Sequence, residues 1–145
     1  MTTATNQTAK QQAVETGMTV VTLNNGLKVA NFSSPHEFRF ETGETLYACS
    51  AERARRLMLH ADEVVTDRGN WKDIELSFTL GLDVTKDLLA AQEFAADHNI
   101  DVILVPLPVM GAMKNAGWYI PDTPFRCIRK SDRVTNLIYS DRFCM

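Results

Sequence analysis

Residues 73–107 read DIELSFTLGLDVTKDLLAAQEFAADHNIDVILVPL, and the fold class turns on them. From Asp73 to Leu80 the residues alternate strictly, with Ile74, Leu76, Phe78 and Leu80 on one face and Asp73, Glu75, Ser77 and Thr79 on the other. A period of two is that of a half-buried strand. Asp83 is placed to cap a helix running through His98, in which Val84, Leu88, Ala91 and Ala95 form an apolar stripe that Leu89 and Phe94 widen. Asp101–Leu107 is a continuous apolar run, typical of a strand covered on both faces. Strand, helix and buried strand in this order predict a right-handed crossover between parallel strands.

Toward the N-terminus, β-branched runs on both sides of Asn25-Gly26 predict a tight hairpin. Glu37–Phe40 and Thr45–Cys49 flank Thr42-Gly43 as a second, shorter one. Ser50 reads as a helix N-cap, with Glu52 in the first turn and Arg53, Arg56, Leu57 and Met58 following, so that the helix ends near His60 or Ala61. Asp67-Arg68-Gly69-Asn70 is a turn. Beyond the buried strand, Val109–Ala116 predicts a short helix ended by Gly117. Phe125–Arg129 and Val134–Tyr139 predict two more strands joined across Lys130-Ser131-Asp132-Arg133. The expected fold class is α/β or α+β, a single domain with a mixed β-sheet and about three helices. Residues 1–17, rich in Thr, Gln and Ala, are expected to be a flexible arm, and 18–145 one globular ligand-binding domain.

The 145 residues are 45% hydrophobic and 23% charged, which suits one ordinary domain and excludes wholesale disorder. No apolar run approaches the roughly 20 residues that a membrane helix needs, and the N-terminus lacks the apolar segment of a secretory signal. A cytoplasmic protein without membrane partners is expected. The net charge of −3 argues against generic coating of DNA or RNA polymers. Six of the fifteen cations but three of the eighteen acids fall after residue 113. A basic C-terminal quarter on an acidic body suggests a small anion site, or else a solvated basic edge. The three cysteines are odd in number and lack C-x-x-C spacing, so neither a disulfide framework nor a zinc site is supported. Cys49 and Cys127 read as buried small hydrophobes.

Enzyme signatures are missing: there is no phosphate-binding Gly-rich loop before a helix, no G-x-S-x-G and no H-E-x-x-H. No catalytic set, metal or cofactor is expected; His60 and His98 are better explained by helix C-termini. Three segments can still carry chemistry. Asn31–His36 is a polar loop stiffened by Pro35. Ser33 or Ser34 with His36 invites a nucleophile–base pair but lacks a third group, which leaves ligand contact or a structural turn. Val105-Pro106-Leu107-Pro108 joins a strand end to a helix start, a place that attracts ligands and anions, although its prolines remove donors and a rigid corner serves equally well. In the third segment, residues 126–133, Arg129 and Arg133 can converge as forks for phosphate or as plates against a base. Asp132 can orient one of them or accept from a ribose hydroxyl, and Trp71 or Tyr139 can supply a stacking face. An exposed Arg/Asp ladder explains the same residues.

Over roughly residues 20–143, the combination VANFSSPHEF, DIELSF, DVILVPLP and IRKSDRVTNLIYSDRF resembles the phage Thoeris anti-defence sponges of the first type described. The resemblance implies a homo-oligomer that binds a cyclic ADP-ribose-type signal and withholds it without cleaving it, with cyclic oligonucleotides held at a separate site. It implies a pocket built partly from C-terminal arginines, which Arg129 and Arg133 match, and an aromatic stacker; Asn115 is a further candidate for base or ribose contact. The competing readings are an enzyme that degrades a nucleotide signal through the Ser33/Ser34–His36 loop, and an interaction module that inhibits a host factor through its acidic body.

Overall fold

The computed structural model describes residues 17–56 and 59–145; residues 1–16 of the expected arm over 1–17, and Leu57 and Met58 of the expected first helix, lie outside them, whereas Gly17 is held, its carbonyl accepting from Ser50 N–H at 2.9 Å. Strands β1 (Thr19–Thr22) and β2 (Lys28–Asn31) form the expected hairpin, antiparallel with Val20 opposite Ala30. Its loop closes through Gly26 N–H to the Leu23 carbonyl at 2.9 Å, with Gly26 at φ +87°, a conformation glycine adopts without steric cost. A second hairpin pairs β3 (Phe38–Arg39) with β4 (Thr45–Leu46). Ser50 caps α1 (Ala51–Arg56), its Oγ accepting from Arg53 N–H at 3.0 Å.

The helix does not run on to His60. Residues His60–Asp67 form strand β5, paired antiparallel along its whole length with β6 (Lys72–Thr79) across the turn at residues 68–71. The expected half-buried strand is therefore a strand, but it belongs to a two-stranded ribbon in which Ile74 and Leu76 remain more than half exposed. Alternation reports that a strand has an apolar side. It does not say what covers that side, and here β5 takes the pairing.

Helix α2 (Leu82–His98) follows, with Gly81 rather than Asp83 at its N-cap and Leu89 turned to solvent. Val84, Leu88, Ala91, Phe94 and Ala95 are its buried stripe. It leads into β7 (Val102–Leu104), buried throughout, which pairs not with β6 but in parallel with β2. The parallel crossover thus runs from β2 to β7 and spans the second hairpin, α1, the ribbon and α2. Helix α3 (Leu107–Asn115) comes next, then a 3-10 turn at Ile120–Asp122, then β8 (Phe125–Arg126), parallel to β7. Among the described residues the result is a mixed α/β domain with three helices around a four-stranded sheet in the order β1-β2-β7-β8.

Both faces of the sheet are covered. On one, α2 and α3 bury Val20, Ala30, Phe32, Ile103, Val105 and Phe125. On the other, Val21, Val29, Val102 and Leu104 meet Phe40 and Leu46 of the second hairpin and Ile138 of the C-terminal segment. Adjacent residues of β7 therefore enter opposite cores, which is why its sequence is apolar without alternation.

The two expected C-terminal strands shrink to β8 and to single bridges, Cys127 with Cys144 and Lys130 with Ile138. The Asp132 carboxylate accepts from the N–H groups of Val134 and Thr135, both at 2.7 Å, and from the Thr135 hydroxyl, and Asn136 sits at φ +58°. These local bonds turn the chain before a ladder can extend.

Candidate functional site

Strands β2, β7 and β8 run in the same direction, and their carboxyl ends open onto one cavity of about 580 Å³. In open α/β sheets this is where ligands sit, and the volume falls within the usual range of small-molecule sites, roughly 300–1,000 Å³. The wall brings together the three segments singled out in the sequence: Ser33 and Ser34 beyond β2, Leu104–Leu107 beyond β7, and Cys127, Ile128 and Lys130 beyond β8.

Asn31, fully buried at the end of β2, organises the first segment. Its Nδ2 lies 3.1–3.3 Å from the carbonyls of Ser34, His36 and Tyr47, and its Oδ1 accepts from Ser34 N–H at 2.9 Å. The Ser34 hydroxyl is committed to the loop as well, donating to the His36 carbonyl and accepting from His36 N–H. Ser33 differs. It is 6% exposed, it lines the cavity, and its Oγ has no hydrogen-bond partner among the described residues. A buried hydroxyl without a partner costs about 1–3 kcal/mol, so its retention calls for a reason.

The second segment sets Pro106 as the N-cap of α3, whose first turn closes with Met110 N–H on the Pro106 carbonyl at 3.1 Å. Pro108 has no N–H to offer, and the first-turn N–H groups of Leu107 and Val109 precede any helical acceptor. The helix therefore sets its start, with Pro106 and Leu107 in the lining, and the positive end of its dipole at the cavity rim. Phe38, Leu104, Val105 and Ile128 make the remaining wall largely apolar.

Of the C-terminal cations, Arg126 is spent on structure, its Nη1 donating to the carbonyls of Ile120, Thr123 and Phe125. Arg142 pairs with Asp141 and lies over the Tyr139 ring, 4.0 Å from its centroid. Tyr139 is thereby already covered. Arg129, Lys130 and Arg133 are exposed and form no ion pair among the described residues, although Lys130 Nζ reaches Asn136 Oδ1 at 3.4 Å.

Lys130 lines the cavity; Arg129 is its chain neighbour and Arg133 stands in the turn beyond, both outside the lining. Hydrogen bonds from Thr135 and Val134 hold the Asp132 carboxyl below its ordinary range, so its acceptors serve the turn. Asn115 ends α3, about 12 Å along the helix axis from Leu107. Trp71 stands at the ribbon tip, its indole N–H donating to Asp73 Oδ1 at 3.0 Å. His36 is exposed and lines a separate groove with Tyr47, Cys49 and Ser50.

Sequence reasoning overlooked Lys130 as a wall residue and Asn31 as the organiser of the serine loop. An Asn that ends a strand before Ser-Ser-Pro carries that signal, because its amide can satisfy a tight loop. Burial is the main cause that pushes the Cys49 and Cys127 thiols up. Among the described residues no group of three or more His, Cys, Asp or Glu could hold a metal ion, and no helix is long and apolar enough to cross a membrane. In comparisons with known proteins, no family model, no curated protein and no solved structure matches this chain.

Proposed function

We propose that the protein binds a cyclic nucleotide immune signal of the cyclic ADP-ribose type and sequesters it without cleaving it, acting as a phage anti-defence sponge in the host cytoplasm. The observation that carries this reading is the convergence of the unpartnered Ser33 hydroxyl, the α3 N-terminus and Lys130 on one cavity with an apolar wall. A nucleotide has both parts such a site favours, a flat apolar base and anionic phosphates. The base takes the wall of Phe38, Leu104 and Ile128; the phosphates take the rim, near the α3 N-terminus and the Arg129–Arg133 loop. Binding without turnover needs converging donors and no activated nucleophile. The resemblance to Thoeris sponges supports the same ligand class and a homo-oligomeric state.

The test is to incubate the protein with a cyclic ADP-ribose isomer, remove free ligand, release by heat and identify what is recovered. Intact ligand supports sequestration, an altered ligand supports an enzyme, and no binding leaves the interaction module. A charge-assisted contact contributes about 1.5–3 kcal/mol, so Arg129→Ala, Lys130→Ala or Arg133→Ala should weaken binding about tenfold. Unchanged affinity in all three overturns the placement of the phosphates.

A further inference from the structure

Just beyond β8 the chain meets its own C-terminal end at the isolated bridge between Cys127 and Cys144. Cys127 N–H donates to the Cys144 carbonyl at 2.8 Å, and Cys144 N–H donates to the Cys127 carbonyl at 2.9 Å. Two residues that exchange both bonds in an antiparallel bridge have Cα atoms about 5.5 Å apart and side chains on the same side. Disulfides span Cα separations of about 4.4–6.8 Å, most often 5.5–6 Å. The backbone therefore already holds the two cysteines at bonding distance, and both residues line the same cavity.

We propose that Cys127 and Cys144 are an oxidisable dithiol, closing to an intramolecular disulfide in the wall of the cavity. Both are free thiols in the structure, Cys127 buried and Cys144 half-buried. Burial raises the Cys127 thiol first, and the neighbouring Cys144 sulfur raises it further, so the two sulfurs lie within electrostatic reach of each other. The more accessible Cys144 reacts first. Its thiolate attacks a sulfur of a small-molecule disulfide such as oxidised glutathione, forms a mixed disulfide and releases one glutathione thiol. Cys127 then loses its proton to solvent, attacks the Cys144 sulfur and expels the second glutathione. The chain gives up two thiol hydrogens, and one glutathione disulfide becomes two thiols. The closed loop carries Arg129, Lys130 and Arg133, so the bond pins both ends of the cationic segment. Cys49 lines the other groove, its thiol directed at the Ser50 carbonyl at 3.5 Å, and is the internal control.

The dithiol chemistry needs no bound ligand and is tested without one. The full chain is treated with excess oxidised glutathione, alkylated, and mapped by mass spectrometry before and after reduction. The expected result is a mass loss of two hydrogens, linked peptides containing Cys127 and Cys144, and Cys49 alkylated. Cys49→Ser should behave in the same way, whereas Cys144→Ser should show no such loss. Three alkylated cysteines, a glutathione adduct that persists on Cys144, or a disulfide-linked dimer would each overturn the assignment.

Discussion

At the scale of the residue, Ser33 separates a ligand site from a structural corner. Were the Asn31–His36 loop merely a turn, selection for stability would favour an apolar residue where a buried hydroxyl finds no acceptor. Ser33→Ala should therefore leave the melting temperature unchanged or raise it, because it removes an unpaired polar group and a small volume. If the hydroxyl meets the ligand, the same change should weaken binding about fivefold to tenfold, the net worth of a neutral hydrogen bond being about 1 kcal/mol. A melt without ligand and calorimetry with it give the two readings independently. Lost stability with intact binding would return Ser33 to the scaffold. Lys130 shows what one sequence withholds at this scale. Among Arg129, Lys130, Asp132 and Arg133 nothing in the residue types marks which one reaches the wall; that depends on bridges to Cys144 and Ile138, formed with residues far along the chain.

At the scale of the element, the local signals were legible and the pairings were not. Asn25-Gly26 predicts the first hairpin because only a few residues tolerate its loop, and the short, β-branched apolar run of Asp101–Leu107 predicts a strand covered on both faces. By contrast, residues 60–67 carry charges beside Val64 and Val65, and no period in them distinguishes a helix tail from the outer strand of a ribbon. The partner of β7 was equally hidden, since its parallel neighbour β2 lies some seventy residues away, beyond the second hairpin, α1 and the ribbon. The three chemistry-bearing segments were found; their meeting at one strand-end cavity follows from that pairing. One of the side chains that tie the second hairpin to the first is Glu44, whose Oε2 accepts from Asn24 N–H at 2.6 Å and whose Oε1 accepts from the Thr42 hydroxyl. Partial burial raises the carboxyl, but the bonds from Thr42, Asn24 and its own N–H outweigh it, and the value ends below the ordinary 4.5. A depressed carboxylate stabilises the fold above its unfolded value and loses that contribution as pH falls through the folded one. Stability of the native chain should thus fall more steeply below about pH 4.5 than that of Glu44→Gln, as read from urea midpoints across pH. Parallel curves would show that the tie contributes nothing.

At the scale of the whole molecule, the ribbon is the part that the chain leaves unfinished. Residues directly opposite in β5 and β6 share a face, so Ala61, Glu63, Val65, Ile74, Leu76 and Phe78 lie on one side, while Asp62, Val64, Thr66, Asp73, Glu75 and Ser77 lie on the other. The first side is mostly apolar, yet Val65, Ile74 and Leu76 are each more than half exposed. An isolated two-stranded ribbon is marginal in water, and a free strand edge pairs readily with another chain. Helix α3 approaches β6, and Phe78 is half-buried, so the base of the ribbon is anchored while its outer part projects. A second copy offering the same apolar side would meet it isologously and give both ribbons further burial. The homo-oligomer proposed above would then have a definite interface. Light scattering at micromolar concentration should return at least twice the 16.3 kDa of one chain. Leu76→Lys should shift the mass toward one chain with little change in the circular dichroism of the core, since Leu76 belongs to neither buried cluster. A monomeric native protein would sink assembly altogether, and an oligomer that Leu76→Lys leaves intact would move the interface away from the ribbon.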